Sequence, residues 1–253
     1  MKDFKDFLTE GVYDKHIFKA FFLAGGPGSG KSWVARRTLG GTGMKVINSD
    51  AGFKRYAKEV GLDLERMDRF TDDETRLKDK LRARAKSGTK TQLKYAIDER
   101  LGLILDSTAR DVPRIEDEKF DLDRIGYETY MVFVNTELET ALRRNQNPDR
   151  GRPVPEAIVI ANHKQVQKNR RQLMNIFGSN YVEVDNDKDV DVINSNVYKK
   201  IVSLQRKPYT KQKAKDWVRD ELLLKKMAGQ RKGSVFGLFG RRKYYFKSKT
   251  NSF

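Results

Sequence analysis

Residues 25–32 read Gly-Gly-Pro-Gly-Ser-Gly-Lys-Ser and constrain the fold more than any other part of the sequence. They fit the pattern G-x-x-x-x-G-K-[ST], the phosphate-binding loop known as Walker A or the P-loop. The apolar run 20–24 is typical of a buried strand, and residues 33–37 suit the first turns of a helix. A strand, a glycine-rich loop and a helix in that order predict an α/β fold that binds a nucleoside triphosphate.

Such a loop assigns a role to each of its residues. The glycines let backbone N–H groups turn toward phosphate oxygens, and the start of the helix adds its positive dipole. Lys31 is expected to reach the β- and γ-phosphates, and the Ser32 hydroxyl to hold Mg²⁺. The alternative is a glycine-rich turn that only caps a helix. The predicted phosphate-binding residues are Gly25, Gly26, Gly28, Ser29, Gly30, Lys31 and Ser32.

The composition limits the class of protein. The 253 residues suffice for one α/β domain with appendages, and the net charge of +17 favours a polyanionic partner such as nucleic acid. Solubility or a basic tail is the alternative reason for that charge. The chain has no cysteine, which excludes disulfides, thiolate metal sites and cysteine nucleophiles and suits a cytoplasmic protein. No apolar run approaches the roughly 20 residues of a membrane span, and the charged N-terminus does not resemble a signal peptide.

Apolar segments of strand length alternate with helical patterns from residue 19 onward, as in a parallel sheet built from βαβ units. Residues 1–18 are predicted to form a short helical lead, and the α/β core is placed at residues 19–186. The candidate strands are 19–24, 44–48, 101–105, 129–134 and 181–184.

Two helical patterns stand out in the core. Residues 76–86 carry a cation at every second position, and a helix would place Leu77, Leu81 and Ala85 on one stripe with the cations flanking it. This segment is either a core-packing helix with basic shoulders or a basic wall beside a substrate cleft. Residues 154–177 predict a long helix, with Pro155 in its first turn and Gly178 as its C-terminal cap.

The C-terminal part differs in composition from the core. Residues 187–228 predict two helices, near 192–206 and 210–228, with Pro208 between them. Residues 229–253 contain seven Lys or Arg and no acid, interleaved with aromatic residues and with a possible hairpin at 234–247. Such a tail suits single-stranded nucleic acid, which combines stacking with phosphate contacts. The alternative is a tail that packs on the protein's own surface or on a neighbouring subunit.

Asp50 follows the second candidate strand in the run Asn48-Ser49-Asp50. Ligands of open parallel sheets bind at the carboxyl ends of the strands, so Asp50 is expected to face the γ-phosphate. A carboxylate there can accept the proton of an attacking hydroxyl. The alternative is that Ser49 or Asp50 only caps a helix at 51–60.

Asp106 directly follows the third candidate strand, in the manner of a Walker B carboxylate near Mg²⁺. Arg110, four residues on, is suited to grip a phosphate of the acceptor. Here too the alternative is helix capping, by Asp106 or Ser107.

Residues 143–153 carry four arginines in a segment broken by proline and glycine: Arg143, Arg144, Arg150 and Arg152. Guanidinium groups suit the charge on a transferring phosphoryl group, and a lid that closes over ATP excludes water. A solvated basic loop is the alternative.

Together these clusters resemble the P-loop kinases of the zeta-toxin and polynucleotide-kinase type, including homologues carried by tailed bacteriophages. The resemblance covers roughly residues 19–185. It implies a five-stranded parallel sheet between helices, ATP and Mg²⁺ as cofactors, and transfer of the γ-phosphate to a hydroxyl. By this resemblance Asp50 is the general base, Arg110 an acceptor ligand, and Arg143, Arg150 and Arg152 lid residues.

The sequence departs from that family at two positions. Polynucleotide kinases usually carry an arginine three residues after the base, where this chain has Phe53, followed by Lys54 and Arg55. Zeta toxins more often have Glu at the position of Asp106. The residues expected to contact the acceptor are Asp50, Arg55, Thr108 and Arg110.

The leading hypothesis is therefore an ATP-dependent kinase that acts on a hydroxyl of nucleic acid, at a 5′-end or a modified base, in the cytoplasm (of the host, if the gene belongs to a phage). One alternative is the same reaction on a nucleotide or nucleotide sugar. Another is a nucleotide-dependent binding or assembly ATPase. No obvious water-orienting glutamine lies near the second or third strand, which disfavours the last hypothesis.

Overall fold

Five parallel strands form one sheet in the order β2-β3-β1-β4-β5 in a computed structural model of the protein. The structure describes residues 11–106, 108–147, 154–187 and 195–230. The predicted five-stranded parallel sheet is confirmed. Its strands are β1 (Lys19–Ala24), β2 (Lys45–Ile47), β3 (Leu103–Asp106), β4 (Glu128–Asn135) and β5 (Tyr181–Asp185).

Eight α-helices connect or extend these strands in the described part of the chain. Two short 3₁₀ helices, Leu64–Arg69 and Gly178–Asn180, lie between them. The α-helices are α1 (Lys31–Leu39), α2 (Ser49–Glu59), α3 (Asp72–Asp98), α4 (Val112–Arg124), α5 (Leu138–Asn145), α6 (Glu156–Phe177), α7 (Ser195–Arg206) and α8 (Gln212–Gln230).

The central strand β1 is buried along its whole length, as its continuous apolar sequence predicts. Its alternate side chains point to opposite faces, so Phe21 packs with α1 and α7 while Phe22 packs with α4, α6 and α8. Both faces of the sheet are therefore covered by helices. β2 and β3 lie on one side of β1, and β4 and β5 lie on the other, so the strand order reverses at β1. Open α/β sheets bind their ligands at such a switch point.

β1 has the predicted bounds, β4 is one residue longer than predicted at each end, and β5 is one residue longer at its C-terminal end. The bounds of β2 and β3 differ for reasons that bear on the site. β2 ends at Ile47 because Asn48 leaves the ladder and caps α2. β3 spans 103–106 rather than 101–105, because Asp106 still pairs with Leu23 of β1. The shift places Asp106 on the last step of the ladder, at the edge where the P-loop begins.

The basic segment 76–86 is helical and lies within α3, as predicted. Leu81 and Ala85 are buried against Phe53 and Ala57 of α2, whereas Leu77 is 36% exposed, so the predicted stripe is one residue shorter than expected. Thr71 and Glu74 form a capping box at the start of the helix.

The helix predictions after residue 154 are confirmed with small shifts, whereas the prediction of a helical lead is wrong for residues 11–18. The long helix predicted at 154–177 is α6, with Pro155 as its N-terminal cap residue and Gly178 as its C-terminal cap. Of the predicted helical lead, residues 11–18 form turns, and residues 1–10 lie outside the described residues. The predicted basic aromatic tail lies outside them from residue 231 onward. No helix in the described ranges is long and apolar enough to cross a membrane.

Both predicted C-terminal helices pack on the core. Ile201 of α7 and Ala214 of α8 are fully buried, and the ring of Trp217 lies 5.5 Å from that of Phe18. Lys211 donates to Asp123 Oδ1 at 2.7 Å. Both helices therefore contribute buried residues to the same cores as the sheet.

Candidate active site

The P-loop connects β1 to α1 in a conformation that requires glycine. Gly28 and Gly30 have φ values of 82° and 83°, in the left-handed region. A Cβ atom on Gly28 would lie 2.3 Å from Ala141 O, and one on Gly30 would lie 2.2 Å from Asn186 Nδ2. Neither position accepts a side chain without movement of the loop or its neighbours.

Side chains that follow β4 and β5 hold the P-loop through hydrogen bonds to its backbone. Ser29 O accepts hydrogen bonds from Asn186 Nδ2 at 2.7 Å and from Thr136 Oγ1 at 3.2 Å. The Ser29 N–H donates to Gly26 O at 3.2 Å, and the residue is 3% exposed. Ser29, predicted to bind phosphate, thus supports the turn in this structure.

The open end of the loop is electropositive. Gly30 caps α1 without a side-chain hydrogen bond, and the first turn of this helix carries no acidic residue. Lys31 Nζ donates to Gly25 O at 2.7 Å and lies 3.5 Å from Gly26 O, so its charge is held at the mouth of the loop. The helix dipole and this ammonium group together favour an anion here.

Asp106 ends β3 beside the loop and is only partly exposed. Asn48 Nδ2 donates to its Oδ2 at 2.7 Å. Burial raises the pKa of the Asp106 carboxyl; the positive charge of Lys31 opposes that shift and the negative charge of Asp50 adds to it. Lys31, Asp106 and Asp50 therefore interact electrostatically at one edge of the sheet.

Asp50 lies in the first turn of α2, and its carboxylate does not cap the helix. The cap is Asn48, whose side chain accepts from the Asp50 N–H at 2.7 Å. The alternative interpretation of Ser49 or Asp50 as the cap is wrong, because the helix begins two residues earlier than predicted. The Asp50 side chain is 61% exposed and accepts from Arg82 Nη1 at 2.5 Å.

Capping is likewise not the role of Asp106. The helix after β3 is α4, and its cap is Asp111, which accepts from the Arg114 N–H at 3.2 Å. Asp106 stays in the sheet, five residues before that cap. Its carboxylate is thus available to the loop edge.

Arg110 lies in the loop after β3, which α6 holds in place. Asn169 Nδ2 donates to the carbonyls of Ala109 and Arg110, at 2.9 Å each. Arg110 Nη1 donates to Asn162 Oδ1 at 2.8 Å, and Thr108 is exposed in the same loop. α6 also approaches the P-loop, because a Cβ atom on Gly26 would lie 3.8 Å from His163 Cα.

Arg55, which was expected to contact the acceptor, does not pair with Asp50 as Arg82 does. Its Nε lies 3.5 Å from Glu59 Oε1, and its guanidinium lies 5.0 Å from the ring centre of Tyr56. The structure therefore pairs Asp50 with an arginine of α3 instead of one of its own helix. The one sequence signal for Arg82 was its place among the alternating cations of residues 76–86.

The predicted lid begins at the end of α5, where Arg143 lies, and Arg150 and Arg152 lie outside the described residues. Its base is closed by Asn145, a residue that the sequence did not single out. Asn145 Nδ2 donates to Val154 O at 2.6 Å, and the Val154 N–H donates to Asn145 Oδ1 at 3.0 Å. Arg144 Nη1 donates to Asn186 O at 2.6 Å, next to the P-loop.

The chain is similar to one protein family in sequence and to several solved structures in fold. The sequence profile of AAA_33, described as an AAA domain, matches residues 21–173, which include the P-loop, Asp50 and Asp106. No curated protein is significantly similar in sequence.

Solved structures with a similar fold include the AvrRxo1-ORF1:AvrRxo1-ORF2 complex with sulphate ions, at 15% identity and a TM-score of 0.51. That match covers 76% of this chain and 66% of the other. The native form of that complex matches at 15% identity and a TM-score of 0.50, covering 73% and 63%. A gluconokinase from Sinorhizobium meliloti 1021 matches at 14% identity and a TM-score of 0.43, covering 85% and 99%. This chain spans slightly less than two thirds of the AvrRxo1 chains, and the similarity shows the fold alone.

Proposed function

Because the chain belongs to the AAA_33 family of AAA domains, we propose that it is an ATP-dependent kinase that phosphorylates a hydroxyl group of nucleic acid. The observation that carries the proposal is the arrangement at the carboxyl edge of the sheet, where Asp106 ends β3 beside the P-loop strand and accepts from Asn48, the cap of the helix that carries Asp50. Lys31 is held at the mouth of the adjacent loop. A phosphate-binding loop, a partly buried carboxylate and an exposed carboxylate are the groups that phosphoryl transfer to an alcohol requires.

In the proposed reaction the acceptor hydroxyl oxygen attacks the γ-phosphorus of ATP. A new P–O bond forms, and the bond from the γ-phosphorus to the β–γ bridging oxygen breaks. ADP leaves with that electron pair, and the hydroxyl proton passes to Asp50. Lys31 holds the β- and γ-phosphates, and the lid arginines Arg143, Arg150 and Arg152 are proposed to neutralise the transferring group.

Oxygen donors at the loop edge fit Mg²⁺. The Ser32 hydroxyl and the Asp106 carboxylate would hold the ion, and a partly buried carboxylate with a raised pKa is a group that a nearby cation stabilises. When bound, Mg²⁺ supplies positive charge to the phosphate oxygens.

Charge supports a nucleic-acid acceptor. The chain carries a net charge of +17. Residues 76–94 of α3 contain eight Lys or Arg against one acid, Asp79, and this helix packs directly beside Asp50. A basic surface of this kind attracts a polyanion to the site where its hydroxyl would react.

A transfer assay with γ-labelled ATP tests the proposal. The acceptors are 5′-hydroxyl oligonucleotides, oligonucleotides with hydroxymethylated bases, nucleosides, nucleotides and nucleotide sugars. We expect label on an oligonucleotide. Label on a nucleotide or nucleotide sugar alone would move the acceptor to the zeta-toxin-like class, and phosphate release without a labelled acceptor would indicate an ATPase.

Asp106→Asn is expected to stabilise the ligand-free protein and to remove its stabilisation by Mg²⁺ and ATP. The pKa of Asp106 is raised in the folded protein, so its contribution to stability is complete below the unfolded pKa and is lost as pH rises through the folded pKa. Above the unfolded pKa the Asp106 carboxyl therefore contributes less to stability than at acidic pH, and asparagine removes this titration while it can still accept from Asn48.

Thermal melting of the ligand-free variant at pH 7 should give a Tm equal to or above that of the wild type, with the difference shrinking toward acidic pH. The control is Asp79→Asn, because the Asp79 side chain is 67% exposed. A clear fall in the Tm of Asp106→Asn at pH 7, or an undiminished Tm increase with Mg²⁺ and ATP, would contradict the role given to Asp106.

A further inference from the structure

The contact between α2 and α3 places a cation on the proposed base. Arg82 Nη1 donates to Asp50 Oδ1 at 2.5 Å, and the Arg82 guanidinium lies 4.7 Å from the ring centre of Phe53. Phe53 is 2% exposed and belongs to the small core that joins the two helices. A buried ring therefore holds this guanidinium at the start of α2.

The ion pair with Asp50 leaves N–H donors of the Arg82 guanidinium available to a ligand. The side chains of Arg82 and Asp50 are 36% and 61% exposed, and ion pairs in such positions add little to stability. Among the described residues, Asp50 is the one hydrogen-bond partner of the Arg82 guanidinium. A guanidinium carries five N–H donors in a planar fork, so most of them are available to a ligand that approaches Asp50.

A second arginine–aromatic contact extends the same surface. The Arg84 guanidinium lies 4.3 Å from the ring centre of Tyr56. Asp50, Phe53 and Tyr56 follow one another at a spacing of three along α2, so Tyr56 lies about 9 Å from Asp50 along the helix axis. The positive surface thus begins at the proposed base and continues away from it along α2.

We propose that Arg82 binds a phosphate group of the acceptor, next to the hydroxyl that Asp50 deprotonates, so that the site selects acceptors that carry a phosphate. This inference rests on the proposed function, because it requires the reacting hydroxyl to lie at Asp50. A guanidinium fork binds two phosphate oxygens at once, and Arg82 can contact Asp50 and the phosphate together. Arg55, the cation expected from the sequence, pairs with Glu59 instead.

The phosphate could belong to a phosphodiester, a nucleoside monophosphate or a nucleotide sugar, and the choice of acceptors separates these sources. Steady-state kinetics with a nucleoside and its 3′-monophosphate measure the preference for a phosphate. A dinucleotide and a nucleotide sugar then identify which phosphate-bearing acceptor gives the largest kcat/KM.

Arg82→Gln is expected to lower the ratio of kcat/KM between the nucleoside 3′-monophosphate and the nucleoside by about 10- to 100-fold, the value of one charge-assisted phosphate contact. The loss should appear mainly in the KM of the phosphate-bearing acceptor. Arg82→Lys keeps the charge but not the fork and should recover part of the ratio. The matched control is Arg124→Gln, an exposed arginine at the C-terminal end of α4, on the opposite edge of the sheet.

Equal losses with both acceptors would mean that Arg82 acts only through Asp50, and an unchanged ratio would mean that it binds no phosphate; either result overturns the inference. Failure of the wild type to phosphorylate any acceptor would overturn the proposed function instead. In that case calorimetric titration with the nucleoside 3′-monophosphate tests the site alone. Equal Kd values for the wild type, Arg82→Gln and Arg124→Gln would then reject it.

Discussion

Replacing Lys31 by alanine is expected to lower phosphotransfer by about 10³-fold or more, because one fixed cation at the transferring group is removed. The side chain contacts two carbonyls of its own loop, Gly25 O and Gly26 O, so the fold should survive its loss. Single-turnover transfer of labelled γ-phosphate, with a parallel measurement of Tm, separates loss of chemistry from loss of structure.

The control for this variant is Lys213→Ala. Lys213 is exposed and donates to Arg124 O, at the opposite edge of the sheet, so its removal should leave the rate unchanged. A Lys31→Ala protein that keeps a tenth or more of the wild-type rate would show that the triphosphate is bound elsewhere.

Replacing Asp50 by asparagine is expected to lower turnover by about 10²- to 10⁴-fold while leaving the affinity for ATP within about twofold of the wild type. Asparagine has the same shape but is a far weaker proton acceptor. Asp50 lies on α2, outside the P-loop. The backbone N–H of residue 50 can still donate to the capping side chain of Asn48 after the substitution. Measurements of kcat and of ATP binding by titration distinguish the two effects.

Glu59→Gln, in the last turn of the same helix, is the matched control because it removes an exposed carboxylate that pairs only with Arg55 among the described residues. Near-normal turnover of Asp50→Asn would exclude Asp50 as the base. Loss of ATP affinity in that variant would instead assign Asp50 to the nucleotide site. Together with Asp106→Asn, which should lose the effect of Mg²⁺, the set assigns separate roles to the two carboxylates.

The order of the secondary structure could be predicted because it depends on local patterns. The apolar run of β1, the loop glycines and the caps of α6 are each encoded within a few neighbouring residues. The parallel arrangement then brings the carboxyl ends of β2 and β3 together, which places Asn48 against Asp106.

Two contacts that the sequence did not predict act across long separations. Arg82 meets Asp50 over 32 positions, and Asn186 meets Ser29 over 157. Such contacts depend on how helices pack and not on any local pattern. The cap of α2 was misplaced for a smaller reason: Asn48, Ser49 and Asp50 are all good cap residues, and only the end of the β2 ladder decides among them.

The docking of α7 and α8 on the sheet has a practical consequence for anyone who prepares this protein. The family match ends at residue 173, which invites truncation after β5. Such a fragment would uncover Phe18 and expose the part of the sheet face that Ile201 of α7 covers. A shortened protein of this kind would be prone to aggregate on expression, and its inactivity would say nothing about catalysis. A fragment made for purification should therefore include both α7 and α8.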